Sequence, residues 1–149
     1  MARYIKTLLI GAGLMAPASL MAVTSDQVAD VLSLLIATVA TMEDNGFRTA
    51  HMEADNLIKG QHTSYSFTRT LYGGNTYVIT AIGGEGIEDL DIYLYDSGGN
   101  LVAKDSEVSA VAMVSVEPKR ESTYTIKVVP YKWTSGYADA FFAVVIGFK

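Results

Sequence analysis

Val28, Val31, Leu32, Leu35, Val39 and Met42 recur at helical spacing, while Asp26, Asp30, Ser33, Thr41 and Asp44 gather on the other side. The pattern predicts one amphipathic helix. Thr24 can cap it and Gln27 can return the bond three residues on, as in a capping box. Asp26 and Asp30 suit the positive end of its dipole, and Asn45-Gly46 stops it. The apolar face is wide, so something must cover it: its own domain, a partner or a membrane.

Beyond Gly46 the helical period disappears and a period of two replaces it. Strands are expected at 47–53, 63–71, 76–82, 90–95, 101–104, 110–116, 123–129 and 138–146. Leu90, Ile92 and Leu94 share one face of their strand, and Asp91, Tyr93 and Tyr95 the other. With Val114, Ile126 and Val128 they form the expected core. Gly73-Gly74-Asn75 and Asp96-Ser97-Gly98-Gly99-Asn100 read as hairpin turns. Short strands with Gly-rich turns at near-regular spacing predict an antiparallel, mainly β, jelly-roll β-sandwich preceded by one helix.

The N-terminus has a different logic. Arg3 and Lys6 precede an almost wholly apolar run, Thr7 to Leu20, followed by small residues. That is the layout of a secretory signal peptide cleaved after Ala18 or Ala22. The Gly11-Ala12-Gly13-Leu14-Met15-Ala16 run imitates a dinucleotide-binding turn, but Pro17 follows at once and no second strand appears. The expected organisation is a leader over 1–22, the helix over 23–46 and the sandwich over 47–149. The expected location is secreted or periplasmic, with no membrane span in the mature chain.

Composition narrows the function. The chain has 149 residues, 11 basic against 16 acidic, and no cysteine. A net charge of −5 argues against nucleic-acid binding. Without Arg3 and Lys6 the balance becomes 9 basic to 16 acidic, or −7. The lack of cysteine removes disulfides, thiolate metal sites and cysteine nucleophiles. No nucleophile elbow, P-loop or zinc-protease helix motif is present, so no catalytic residue is assigned and a non-enzyme is expected.

Three runs carry a resemblance: Leu71-Tyr72-Gly73-Gly74-Asn75-Thr76-Tyr77, then Asp89-Leu90-Asp91-Ile92-Tyr93-Leu94-Tyr95-Asp96, then Gly99-Asn100-Leu101-Val102-Ala103-Lys104-Asp105. Pro118 and Ser122-Thr123-Tyr124-Thr125-Ile126-Lys127-Val128 add to them. The stretch from Leu71 onward resembles a bacterial pre-peptidase C-terminal domain, a jelly-roll module of secreted proteins with collagen-binding cousins. It departs from that family at Glu121-Ser122-Thr123, where a glycine usually precedes the strand, and in having an added helix; a stand-alone copy without a catalytic domain is expected. The resemblance implies a calcium site: Asp89 and Asp91 match the acidic segment, and Glu53 and Asp55 could play the linker acids, a role that their spacing does not establish. Glu85, Glu88, Asp89, Asp91 and Asp96 crowd a Gly-rich unit of the oxygen-rich kind that calcium takes, but structural roles, a turn cap at Asp89 and backbone bonds or solvent at Asp91, are the favoured account.

Two weaker constellations remain. His51, Glu53 and Asp55 alternate, with His62 beyond them, a spacing that a transition metal or a plain edge strand would explain. Tyr131, Trp133 and Tyr137 flank one connection and are the expected binding edge for a protein or polysaccharide partner. The competing reading is an envelope accessory protein whose helix docks on a partner; a hydrolase with paired carboxylates ranks below both.

Overall fold

The computed structural model describes residues 22–61 and 63–149, so the expected leader and His62 lie outside the described residues. The helix, α1, runs Ser25–Asp44. Eight strands follow: β1 Arg48–Ile58, β2 Tyr65–Leu71, β3 Tyr77–Gly83, β4 Ile87–Tyr95, β5 Leu101–Asp105, β6 Val111–Val116, β7 Ser122–Trp133 and β8 Asp139–Phe148. They form two four-stranded antiparallel sheets, ordered β1-β8-β3-β6 and β2-β7-β4-β5. Only β4 and β5 are joined within one sheet; every other connection crosses the sandwich. This is the jelly-roll arrangement expected from the pattern.

The inward faces alternate as the sequence predicts. Leu90, Ile92, Leu94, Val114, Ile126 and Val128 are all buried in the main core, with Leu57, Leu71, Ile79, Phe142, Val144 and Ile146. A second core lies on the outer face of the β1-β8-β3-β6 sheet. There Val31, Leu35 and Met42 of α1 pack on Ile82, Ala143 and Val145, with Val39, Phe47, Val78 and Phe141 at the margin. Two glycines let the helix come this close. A Cβ on Gly84 would sit 3.2 Å from Val31 Cγ2, and one on Gly147 would sit 2.9 Å from Met42 Sδ. The capping box is formed: Thr24 Oγ1 accepts from Gln27 N at 3.3 Å, and Gln27 Oε1 accepts from Thr24 N at 2.8 Å.

Three expectations need correction. Gly73-Gly74-Asn75 is not a hairpin turn, because β2 pairs with β7 whereas β3 pairs with β8 and β6. The segment is an arch between sheets. Gly73 is needed because a Cβ there would meet the Arg120 backbone at 2.8 Å. Second, β1 and β7 are longer than expected. β7 continues through Pro130, which is tolerated because β2 stops at Tyr65, opposite Val128, and asks for no N–H beyond it. Third, Leu32 belongs to the predicted apolar face but is left exposed, as are Leu34 and Ile36. The helix covers only part of the sheet.

The open sides of the sandwich are closed by polar side chains. At the β5/β6 side, Asp105 Oδ2 accepts from Met113 N at 2.7 Å and Ser109 Oγ from Val111 N at 3.0 Å, which occupies donors of edge strand β6. Replacing Leu94, fully buried between the sheets, by Ala is expected to lower the unfolding free energy by about 2–5 kcal/mol. Urea denaturation monitored at Trp133 measures this, and an unchanged midpoint would contradict the core assignment.

Candidate functional site

Along β4, burial of Leu90, Ile92 and Leu94 leaves Asp91, Tyr93 and Tyr95 on the outer face of the β2-β7-β4-β5 sheet. β7 supplies the neighbouring row. Tyr93 lies opposite Lys127, Tyr95 opposite Thr125 and Asp91 opposite Val129. The pairing then slips at Asp89/Leu90, and the residue thrown out between Pro130 and Lys132 is Tyr131, 74% exposed. A β-bulge re-aims a side chain in this way. Tyr93 Oη donates to Asp91 Oδ2 at 2.9 Å. That bond, then burial, then the charge of Asp91 push the Tyr93 phenol above the usual tyrosine range, with Tyr95 and Tyr131 near enough to add to the effect. Three tyrosines therefore share one patch, with the phenol of Tyr93 tied to Asp91 two residues along the same strand.

The expected binding connection divides. Tyr131 is free, whereas Trp133 packs against the main core. Tyr137 lies over Gly86, with its phenol raised by burial and by Glu85. The connection itself is tied down: Thr134 Oγ1 donates to Glu85 O at 2.7 Å, and Thr134 N to Gly86 O at 3.0 Å. Gln27 Nε2 reaches Glu85 Oε2 at 3.1 Å, which joins the start of α1 to the same loop. Sequence reasoning singled out Tyr131 but missed its grouping with Tyr93 and Tyr95. The signal was present in the parity of β4; the bulge that brings Tyr131 beside it was not.

The carboxylates do not converge. Asp89 and Asp91 are 4% and 3% exposed on β4, where Asp89 Oδ1 accepts from Ser109 N at 3.4 Å. Glu53 lies on β1 of the other sheet and faces β2. Arg69 Nη2 donates to its Oε1 at 2.6 Å, Tyr65 Oη to its Oε2 at 3.0 Å, and His51 Nε2 lies 2.8 Å from Oε1. The bond from His51 leads the causes that hold the Glu53 carboxyl below the usual glutamate range, Tyr65 and Arg69 adding to it against an opposing cost of burial. Asp55 is exposed and, among the described residues, bonds only Asn56 N, at 2.7 Å. Of the other acids, Glu88 pairs with Lys132 at 2.5 Å, and Asp96 accepts from Gly98 N and Asn100 N within its turn. Among the described residues no three His, Asp or Glu side chains form a group able to hold a metal. As placed, the four carboxylates do not converge, and of the His51–Glu53–Asp55 row only His51 and Glu53 are drawn into the ion pair with Arg69 across the sandwich edge.

No protein-family model matches the chain, and no curated protein matches it. Solved structures do. The pre-peptidase C-terminal domain of collagenase from Bacillus anthracis is similar over 64% of this chain and 87% of its own, with a TM-score of 0.51 and 14% identity. The fold is that of a pre-peptidase C-terminal domain. PliG of Aeromonas hydrophila, a periplasmic inhibitor of g-type lysozyme, covers 70% of this chain and 90% of its own with a TM-score of 0.49 and 10% identity. At 14% identity the likeness to the collagenase domain extends to the fold and no further.

Glu53 has a depressed carboxyl pKa, so its contribution to stability is complete above the unfolded value, about 4.3, and is lost as the pH falls through the folded value. Glu53→Gln is expected to lower stability at pH 7 and to flatten the fall in stability below about pH 4.3, measured by urea melts across pH. A variant with the wild-type acid profile would refute the assignment. For calcium, thermal melts with the ion in excess and with chelator are expected to coincide. A calcium-dependent rise that Asp91→Asn abolishes would place an ion at β4 after all.

Proposed function

We propose that this chain is an exported, non-catalytic β-sandwich module that binds a protein or polysaccharide through the outer face of the β2-β7-β4-β5 sheet. The observation that supports it is the patch of Tyr93, Tyr95 and Tyr131, with Lys127 and Thr125 in the adjoining row. Tyrosines offer broad, stiff contact area with a hydrogen-bonding tip, which suits flat polymers and protein surfaces. A phenol raised above its usual range is a poor proton shuttle near neutrality, and the carboxylates nearby are committed to structural bonds. Export is supported by the charge, apolar run and small residues of 1–22. A second reading, an accessory protein of the envelope whose helix docks on a partner, is favoured by Leu34 and Ile36, which are 51% and 70% exposed.

The test is binding of the mature protein to fibrillar collagen and to a panel of soluble cell-wall polysaccharides, by calorimetry and affinity electrophoresis. At least one polymer is expected to bind, and Tyr95→Ala combined with Tyr131→Ala to weaken it by tenfold or more, about 1.4 kcal/mol, without moving the melting temperature. Binding that the double variant leaves intact would remove this face from the function, and a wild type that binds none of the polymers would count against the reading as a whole.

A further inference from the structure

A four-stranded sheet is about 19 Å wide, room for two helices packed side by side about 10 Å apart. α1 fills one of the two places on the β1-β8-β3-β6 sheet, resting chiefly on β8 with β1 and β3 beside it. The other place, between α1 and β6, is an apolar groove of about 630 Å³. Leu34 and Phe47 form one wall, Val78 lies on the floor, and Val111 and Met113 form the far wall. Leu34, Val111 and Met113 are exposed, Met113 at 58%. The threonines along the helix do not make the groove polar. Thr38 Oγ1 donates to Leu34 O at 2.8 Å and Thr41 Oγ1 to Ala37 O at 2.9 Å, so their hydroxyls are already paired with the helix backbone. The two charges within the groove are engaged as well. Asp105 accepts from Met113 N and Glu107 N, and Lys149 Nζ lies 4.3 Å over the Phe47 ring and donates to Asn45 O.

The upper shoulder of the groove has a pattern of its own. Asp30, Leu34, Ala37, Thr41 and Asp44 follow each other in steps of four and three, the spacing of a helix-pairing seam. The seam is about 21 Å long, uncharged in the middle and acidic at both ends. No charged residue lies between Asp30 and Glu43. We propose that this groove receives an apolar helix of a protein partner that carries basic residues at both of its ends. This rests on the second reading above and is independent of the tyrosine face, so failure of either leaves the other standing. The acidic ends select the occupant. A second copy of the chain would bring Asp30 and Asp44 against the same acids of its twin whichever way its helix ran. An anionic bilayer would repel Asp26, Asp30, Glu43 and Asp44, where an interfacial helix needs cations. A helix with lysine or arginine at both ends gains at both acids and buries the exposed leucine and methionine.

The experiment uses two fluorescein-labelled helical peptides of about 21 residues with the same leucine–alanine centre, one ending in two lysines at each end and the other in two glutamates. Anisotropy titration of the mature protein is expected to show the lysine peptide binding at least tenfold more tightly, with the difference shrinking at about 1 M salt, where the screening length is near 3 Å. Leu34→Gln and Met113→Gln, both at exposed positions, are expected to weaken it tenfold or more, while Met52→Gln, on the far flank of α1, leaves it unchanged. Asp30→Lys combined with Asp44→Lys is expected to reverse the preference toward the glutamate peptide. Equal binding of both peptides, no binding of either, or a preference the charge swap does not reverse would overturn the proposal. So would a dimer in sedimentation that Leu34→Gln dissolves, which would make a second copy the occupant, or binding to phosphatidylglycerol vesicles that Ile36→Gln abolishes, which would make it a membrane.

Discussion

β8 is buried on both faces, and the rest of the molecule is arranged around that fact. Phe142, Val144 and Ile146 point into the sandwich, while Ala143 and Val145 point out to α1. A strand of this kind cannot sit at a sheet edge or under solvent, so β1 and β3 flank it and the helix covers it. The small side chain of Ala143 and the bare backbone of Gly84 and Gly147 set how closely the helix approaches. Two cores thus share one strand, and a change of shape on either face is felt on the other.

The sandwich must also manage its sides, where each sheet ends in unpaired backbone. At one side Glu53, Arg69, His51 and Tyr65 bridge β1 and β2. At the other, Asp105 and Ser109 occupy donors of β6. The two devices differ in kind. The first holds the two sheets together through an ion pair, whereas the second blocks strand addition to an edge and leaves the nearby outer surface apolar. That is why β6 can border a groove without inviting edge-to-edge aggregation.

Most of the architecture was legible in the residues because its cause is local. Leu90, Ile92 and Leu94 alternate with polar neighbours, and Thr24 and Gln27 form their box within four residues. What failed to show depends on contacts distant in sequence. Gly73 looks like a turn residue until the Arg120 backbone is seen against it. Pro130 looks like the end of a strand until β2 is seen to stop short. Of the site, Tyr131 was legible as an exposed aromatic, but its meeting with Tyr93 and Tyr95 depends on a register slip, and no period in a sequence encodes a slip. The placement of the acids was hidden for a related reason. Asp89, Asp91, Glu53 and Asp55 are alike in chemistry but divided between two sheets, and composition does not record that separation.

The place of β8 in chain order also bears on how the protein folds. The strand that both cores require is the last of the eight, and its neighbour β1 is the first. Without Asp139–Phe148 the β1-β8-β3-β6 sheet is not joined and the helix lacks its main support. The chain holds only the β4–β5 hairpin as a pairing between consecutive strands, which is marginal on its own in water. Pairing β8 with β1 therefore joins strands from opposite ends of the sandwich sequence, a contact of high sequence separation. Closure of a long loop, rather than a series of local hairpins, is then what the fold has to wait for.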